Sequence, residues 1–159
     1  MAIFMRIQGI QGNVTAIGHE GTIAIHSMHY VFLQPVSMPV GCPQNRVRSR
    51  PEFSEVVLTK STDDATSSLL SIAYAGKPLS NVQCKVVVTG DDLSALVNYQ
   101  FSNVIISRYE TSVGAGGGPV ETVGMQFTRI QINYQGRDRH HKPCSPRVVG
   151  YDLETAGLM

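Results

Sequence analysis

The sequence predicts a mainly β domain, a small barrel or sandwich of antiparallel strands with one short α-helix at its side and a long extended loop. Most of the 159-residue chain alternates apolar and polar residues with the period of two that a half-buried strand requires. β-branched residues are frequent in these runs, and one stretch has helical spacing instead. A chain of this length buries roughly 70% of its unfolded surface as one domain, so residues 1–159 need no disulfide framework.

The alternating runs divide into strands separated by turn-forming residues. A first strand is expected at 2–8 and a second at 22–32, after the turn-rich segment 9–21. Further strands are expected at 53–60, 82–89, 93–101, 104–111, 120–135 and 148–153. The turn Gly90-Asp91-Asp92 is expected to close one hairpin, and the segment 112–119 a second.

The single helix is predicted at 63–75. Ser61 or Thr62 is a suitable N-cap, and the two aspartates that follow favour the positive end of the helix dipole. Apolar residues then recur at helical spacing, at Ala65, Leu69, Ile72 and Ala73. Gly76 and Pro78 are typical of residues just past a helix C-terminus, so the helix is expected to end before them.

Residues 33–51 form the long loop of this prediction. Four prolines and Gly41 interrupt any strand or helix pattern, and the segment ends in Arg46, Arg48 and Arg50. Compact domains rarely keep a structureless loop longer than about 15 residues without a use for it. We therefore expect this segment to be either mobile or ordered by a neighbouring molecule.

Composition favours contact with other protein over binding of nucleic acid or a membrane. Charged residues are 16% of the chain, against about 25% in an average soluble domain. The net charge of +1 gives no field that would draw nucleic acid or an anionic membrane to the whole protein. No run approaches the roughly 18 unbroken apolar residues of a membrane span.

Cysteine usage and the N-terminus indicate synthesis in the cytoplasm. Cys42, Cys84 and Cys144 are odd in number, which predicts free thiols. The opening Met-Ala-Ile-Phe-Met-Arg lacks the charged start and long apolar run of a signal peptide. If the protein leaves the cell, we expect a dedicated machine to export it.

Histidine and cysteine side chains are the candidate metal ligands, but neither set has the spacing of a zinc site. One set is His19, His26, His29 and Cys42, and the other is His140, His141 and Cys144. In a regular strand His26 and His29 point to opposite faces, so they converge on one ion only if the strand bulges. We therefore predict no metal and no cofactor.

Catalytic patterns are equally weak. No Gly-x-Ser-x-Gly elbow is present, and Cys84 alternates with valines as a buried small side chain does. The pairs Asp63-Asp64 and Asp91-Asp92 fit capping and turn chemistry. The glycine run 114–118 has a strand on each side and no following Lys-Ser or Lys-Thr, which indicates a hairpin loop and not a phosphate loop. The sequence favours a structural protein over an enzyme.

The segment 136–147, called the basic tract below, is polar and positively charged. It contains no aromatic residue that would stack on a base, which counts against a nucleic-acid site. We expect a solvated or interfacial loop whose basic residues are Arg137, Arg139, His140, His141, Lys142 and Arg147.

Several segments resemble one known family. The most specific is a strand-Thr-Lys-turn-helix unit, Phe53-Ser54-Glu55-Val56-Val57-Leu58-Thr59-Lys60 followed by Ser61-Thr62-Asp63-Asp64, the helix and Gly76-Lys77. The opening Phe4-Met5-Arg6-Ile7 with Gly9-Ile10-Gln11-Gly12, the segment Phe127 to Gln135 and the ending Gly150-Tyr151-Asp152-Leu153 agree with it. On these segments, spread over nearly the whole length, the chain resembles the haemolysin-coregulated protein (Hcp) family, the tube-forming subunit of bacterial type VI secretion systems.

The resemblance implies a small β-barrel with a helix at its side, arranged as a hexameric ring whose copies stack into a tube. It also implies a spike protein at the tube tip, a contractile sheath around the tube, small effectors inside the rings, and secretion to the extracellular space or a target cell. Predicted inter-ring contacts are Leu33, Gln34, Val36, Met38, Val40, Gln44, Arg46, Arg48 and Arg50. Predicted subunit or tail contacts are Arg137, Arg139, Lys142 and Arg147.

Two other functions stay open at the level of sequence. A tube component of a related contractile particle would share the barrel and the long loop, and the number of subunits per ring would separate it. A small β-sandwich module that binds a sugar or another ligand would be a monomer or dimer with an aromatic-lined pocket. The lack of Trp and the 7% of aromatic residues count against that module.

Overall fold

The computed structural model describes residues 1–41, 43, 46–90 and 94–159. Its strands are β1 Ala2–Ile7, β2 Ile23–Ile25, β3 Ser27–His29, β4 Phe32–Leu33, β5 Val36–Ser37, β6 Val47–Arg48, β7 Glu52–Phe53, β8 Val56–Ser61, β9 Leu79–Val87, β10 Ala95–Ser112, β11 Val120–Gln126, β12 Arg129–Tyr134, β13 Arg147–Asp152 and β14 Gly157–Leu158. The helix α1 is Thr66–Ala75. A mainly β class with one short helix is confirmed within these ranges, whereas Asp91, Asp92 and Leu93 of the first predicted hairpin lie outside them.

Ten of the described strands join into one branched antiparallel sheet. Its first part, sheet A, has the order β2-β1-β9-β10-β12-β13-β14. Its second part, sheet B, has the order β10-β11-β8-β3. The 18-residue strand β10 belongs to both parts, because residues 95–104 pair with β9 and residues 105–112 pair with β11. The predicted hairpin across the glycine run is confirmed as β10 and β11.

Strand β10 is continuous where the sequence predicted a break before Val104. Asn103 has a φ of 52°, and the pairing register shifts between Ile106 and Arg108. A left-handed residue and a bulge bend a strand without ending it, so β10 passes from sheet A into sheet B. The predicted strand 120–135 is instead divided, because β11 pairs in sheet B and β12 in sheet A.

The core lies between the inner faces of the two sheets. The side chains that are at most 1% exposed include Met5, Ile23, Cys84 and Phe101 from sheet A, Leu58, Val123 and Met125 from sheet B, and Leu69 from α1. Complete burial of a side chain the size of Leu or Phe contributes about 1.5–3 kcal/mol. Cys84 is buried as predicted, and burial raises the pKa of its thiol to about 12, so the thiol is protonated at neutral pH.

The helix α1 starts three residues later than predicted. Ala65, which makes no side-chain cap bond, precedes the first helical residue Thr66. The predicted cap Thr62 donates its hydroxyl to Glu121 Oε1 instead, and Asp63 Oδ1 accepts the Ala65 N–H. Thr62 is therefore directed to a buried cluster, whereas Asp63 bonds both to that cluster and to the backbone at the start of the helix.

The C-terminal end of α1 lies where the sequence predicted. Gly76 has a φ of 63°, which a glycine adopts without steric cost, and its N–H donates to the Ala73 carbonyl at 3.2 Å. The Lys77 N–H donates to the Ile72 carbonyl at 3.3 Å. These two bonds satisfy the last helical carbonyls and stop the helix. Within the described ranges, no helix is both long and apolar enough to cross a membrane.

Candidate functional site

A buried polar cluster lies where β8, β10, β11 and the start of α1 meet. Lys60 on β8 is fully buried, and its Nζ lies 2.8 Å from Glu121 Oε2 on β11. The same Nζ lies 2.9 Å from Asp63 Oδ1 and donates to the Ser61 carbonyl oxygen at 2.9 Å. Burying an ammonium without partners costs several kcal/mol, and these three short contacts offset that cost.

Glu121 is the centre of the cluster. Its Oε2 accepts the Tyr109 hydroxyl at 2.6 Å and the Thr66 hydroxyl at 3.1 Å, and its Oε1 accepts the Thr62 hydroxyl at 3.1 Å. Burial alone would raise the pKa of this carboxyl, but hydrogen bonds from Lys60, Tyr109 and Thr66 outweigh burial and lower it. Because Glu121 is 1% exposed and already bonded on both oxygens, the cluster stabilises the fold and is closed to a substrate.

The lowered pKa of Glu121 predicts that the fold is weakened by acid. The contribution of this carboxylate to stability is present above its ordinary pKa of 4.5 and is lost as the pH falls through the lower folded pKa. We expect the free energy of unfolding to decrease below pH 4.5, and to decrease less steeply in Glu121→Gln. Urea unfolding at a series of pH values measures both slopes. The exposed Glu110→Gln is the control and should keep the slope of the unchanged chain, and equal slopes in all three chains would contradict this assignment.

The outer face of sheet B is lined by hydroxyl and imidazole groups. Ser61 Oγ lies 3.1 Å from His26 Nε2, and the hydroxyls of Ser27 and Thr59 form a 2.5 Å hydrogen bond. A serine beside a histidine resembles part of a nucleophilic site, which also needs a group to orient the imidazole. Among the described residues no carboxylate bonds to His26, so this pair lacks the orienting group of a triad.

The predicted metal-ligand candidates do not converge within the described part of the chain. His26 and Ser27 both lie opposite Thr59, and two residues opposite one form a β-bulge. His26 and His29 are therefore both exposed on the same side of the strand. His19 is buried and stacks on Phe4, with ring centroids 4.8 Å apart. His140, His141 and Cys144 are exposed in the basic tract, and Cys42 lies outside the described residues. The described residues contain no group of three or more His, Cys, Asp or Glu side chains that could hold an ion.

The described residues of the segment 33–51, called the arm below, form a two-stranded ribbon and not the structureless loop that the sequence predicted. At its root β4 pairs with β7, and further out β5 pairs with β6. Between these pairs the Ser49 N–H donates to the Pro35 carbonyl at 2.9 Å. Each of these four strands is two residues long, which is too short for an alternation pattern to show. A two-stranded ribbon is only marginally stable alone in water, so a further contact would stabilise the arm.

The predicted inter-ring residues lie along the arm. Its exposed apolar side chains are Leu33, Val36, Met38, Val40 and Val47, of which Val40 is 100% exposed. Its exposed basic side chains are Arg46, Arg48 and Arg50. Gln34 is half-buried and donates its Nε2 to the Ser49 carbonyl at 3.3 Å, and Gln44 lies outside the described residues. The arm thus presents apolar and positively charged groups together.

The basic tract is an ordered connection between β12 and β13. Asp138 Oδ1 accepts the backbone N–H groups of His140 at 2.7 Å and Lys142 at 2.9 Å. The Cys144 N–H donates to the Gly136 carbonyl at 2.8 Å and closes the loop. The predicted contact residues Arg137, Arg139, Lys142 and Arg147 are exposed on it, and Arg137 also contacts the Ser94 hydroxyl. Their role as subunit or tail contacts stays a prediction.

An apolar groove of about 420 Å³ lies between the root of the arm and the edge of sheet A. Its arm side is Tyr30, Phe32, Pro51 and Phe53, and its sheet side is Ile130, Ile132, Val149, Tyr151 and Leu158. The Phe53 ring centroid lies 5.4 Å from that of Phe32 and 5.5 Å from that of Tyr151. Sequence reasoning missed this groove because its two walls are separated by about half of the chain.

The Gly150-Tyr151-Asp152 segment forms one wall of the groove. Gly150 is buried, and a Cβ there would lie 3.2 Å from the Ile130 carbonyl oxygen, so glycine allows the close approach of β12 and β13. Tyr151 lines the groove. Asp152 Oδ2 accepts a hydrogen bond from Arg129 Nη2 at 2.8 Å. This hydrogen bond is the main reason why the pKa of the Asp152 carboxyl is lowered. Gly150 and Asp152 thus hold β13 close to β12, and Tyr151 contributes its ring to the groove.

Residues 4–134 match the family model described as "Type VI secretion system effector, Hcp". The chain belongs to the Hcp family. The match runs from β1 to β12 and confirms the resemblance carried by the strand-Thr-Lys-turn-helix unit. Hcp proteins are secreted components of type VI secretion systems, so this chain is a type VI secretion protein. No curated protein matches the chain.

Solved structures with the same fold are described as type VI secretion system proteins or as Hcp proteins. One, described as "a type six secretion system protein", is 21% identical with a TM-score of 0.93 and covers 99% of each chain. Hcp1 from Salmonella typhimurium is 19% identical with a TM-score of 0.79, covering 99% of this chain and 98% of that one. A type VI secretion system effector from Yersinia pestis is 21% identical with a TM-score of 0.72, covering 94% and 98%. At these identities the likeness shows the fold alone.

Proposed function

We propose that this Hcp chain is the structural subunit of a secretion tube, a single domain over residues 1–159 that forms hexameric rings. The rings stack into the inner tube, a surrounding contractile sheath propels it, and a spike protein sits at its tip. The rings carry small effectors to the extracellular space or a target cell, and no side chain of the subunit reacts. The family match over residues 4–134 carries this proposal, and the fold likeness over 99% of the chain supports it.

The distribution of exposed apolar side chains supports self-assembly. Of the eighteen large apolar side chains exposed in the described part of the chain, twelve lie in two places. Six are on the arm and its root, namely Phe32, Leu33, Val36, Met38, Val40 and Val47. Six are at the edge of sheet A, namely Tyr134, Val148, Val149, Leu153, Leu158 and Met159. Apolar groups concentrated in this way mark contact surfaces, and in our proposal the arm supplies contacts between rings.

One observation favours the rival function of a ligand-binding module. The groove has the aromatic lining that such a module needs, with Phe32, Phe53 and Tyr151 around it. That module predicts a monomer or dimer whose groove holds a small molecule, whereas the tube subunit predicts rings. A tube component of a related contractile particle would also form rings, and ring symmetry separates it from the Hcp tube.

Electron microscopy of the purified protein tests the proposal. We expect rings with six-fold symmetry and a central channel at high protein concentration. The ligand-binding module predicts no rings, and a different number of subunits per ring would favour a related particle. Either of those two results would contradict the proposed function.

A further inference from the structure

A polar cavity of about 470 Å³ lies where the end of β1 meets the start of β9, and it shares no lining residue with the apolar groove. Its volume falls in the range of sites that bind small molecules. We propose that it binds a small zwitterion, an α-amino acid or a short peptide, whose carboxylate contacts Arg6 and whose ammonium contacts Glu20. Such a site goes beyond the proposed function, because a tube of structural subunits needs no small-molecule ligand.

The floor of the cavity is the outer face of sheet A. Arg6 lies directly opposite Gln83 in the pairing of β1 with β9, and Asn81 lies two residues before Gln83 on the same face. The guanidinium of Arg6 is therefore exposed beside two amide side chains. Because paired strands hold the backbones of these residues in place, little order has to be gained when a ligand binds.

The wall of the cavity is formed by two segments, residues 8–11 and residues 20–21. The Gly12 N–H donates to the Gly21 carbonyl at 3.0 Å, which ties the two segments together. Gly12 also packs closely, since a Cβ there would overlap the Thr22 carbonyl. The wall is therefore in place before a ligand binds.

The two charged groups of the cavity attract each other without forming an ion pair. Hydrogen bonds from the backbone N–H groups of Glu20 and Gly18 lower the pKa of the Glu20 carboxyl, and the charge of Arg6 adds to that effect. Glu20 is therefore ionised at neutral pH. Among the described residues, no ion pair includes Arg6 or Glu20. A ligand that carries one charge of each sign can bond to both side chains.

Asn81 supplies a hydrogen-bond acceptor that lacks a donor. Its Oδ1 is buried, and within the described ranges no group donates to it. A buried acceptor without a donor is unfavourable, and the terminal torsion of an asparagine side chain is soft. A small rotation therefore turns this oxygen towards the cavity that Asn81 lines. An ammonium has three N–H donors, which is enough for this oxygen and for Glu20.

The remaining lining favours an amino acid or a peptide over a sugar. The ten described residues that line the cavity include no aromatic ring on which the face of a sugar would stack. They do include Gln8, Gln11 and Gln83. Each of these amides both donates and accepts hydrogen bonds, so they fit a carboxylate or a peptide group.

Isothermal titration calorimetry with the purified full-length chain tests the inference. L-Alanine and L-alanyl-L-alanine are the two zwitterionic probes, and they separate a free amino acid from a short peptide. The N-acetyl form of the tighter probe lacks the ammonium, its C-terminal amide lacks the carboxylate, and glucose is neutral. We expect saturable binding of a zwitterion, binding weaker by roughly tenfold or more for each form that lacks one charge, and none for glucose.

Two variants assign the charges of the ligand to side chains. Arg6→Met should weaken the zwitterion by roughly tenfold or more and leave the C-terminal amide unchanged, because that probe has no carboxylate to lose. Glu20→Gln should weaken the zwitterion and leave the N-acetyl form unchanged. Arg108→Met removes an exposed arginine from sheet B and is the matched control, which should bind as the unchanged chain does.

Two results would overturn the inference outright. They are no saturable binding of either zwitterion at millimolar concentration, and binding that Arg6→Met leaves unchanged. Glucose binding as tight as that of the zwitterions would instead show a site for neutral molecules. If no probe bound and Arg6→Met changed the number of chains per particle in native mass spectrometry, the cavity would be a contact between copies. Electron microscopy of the rings tests the proposed function separately from all of these results.

Discussion

Lys60→Met is expected to lower the free energy of unfolding by about 3–5 kcal/mol, the cost of breaking a buried ion pair by removing one partner. Glu121 is 1% exposed, so its carboxylate would stay buried without the Lys60 ammonium. The hydrogen-bond donors that remain to it are the neutral hydroxyls of Tyr109, Thr66 and Thr62. Its effect would reach α1, because Thr66 begins that helix and belongs to the same cluster.

An exposed ion pair supplies the matched control for this effect. Arg108 Nη2 lies 3.5 Å from Glu55 Oε1, and the two side chains are 48% and 30% exposed. Water and salt screen such a pair, so Arg108→Met should cost less than about 1 kcal/mol. Urea unfolding at pH 7, at one protein concentration, compares the two variants.

Removing the second charge provides a further check on the ion pair. Adding Glu121→Leu to Lys60→Met should recover part of the loss, because no unpaired charge is then buried. Equal losses in Lys60→Met and Arg108→Met would show that the buried pair does not have the role assigned to it.

Shortening the arm is expected to abolish stacking while rings persist. In this variant a Gly-Ser turn replaces residues 34–50 and joins Leu33 to Pro51, which keeps the residues of the root. The core of sheets A and B contains no residue from 34–50, so the subunit should fold and its rings should form. Without the outer arm, the exposed apolar and basic groups that we assign to inter-ring contact are lost.

Electron microscopy at high protein concentration measures rings and stacks separately. The matched control shortens another exposed loop, residues 114–118 between β10 and β11, and should stack as the unchanged chain does. If the variant without residues 34–50 formed rings and stacks like the unchanged chain, the arm would have no part in either contact.

The position of the buried cluster was partly readable from the sequence. Val56, Leu58 and Lys60 alternate along β8, so the period of two places Lys60 on the buried face with the other two residues. Its partner was not readable, because Glu121 is 61 residues away and is brought close only by the pairing of β8 with β11. For the same reason the helix start was predicted too early, since Thr62 and Asp63 bond to that cluster.

The arm and the groove show where local patterns stop being informative. The segment 33–51 was identified as a loop of unusual length from its prolines, but its pairing depends on strands of two residues that leave no periodic signal. The groove combines Phe32 and Phe53 with Val149 and Tyr151, which β-sheet topology alone brings together. Alternation is informative in longer strands such as β12, where Ile130 is buried between the more exposed Arg129 and Gln131.

The mass of the purified protein under native conditions tests the central claim most directly. One chain has a mass of 17.3 kDa, and the account predicts a main species of six chains. Native mass spectrometry resolves the number of chains without reference to shape. A species of one chain that persists at high protein concentration would contradict the account.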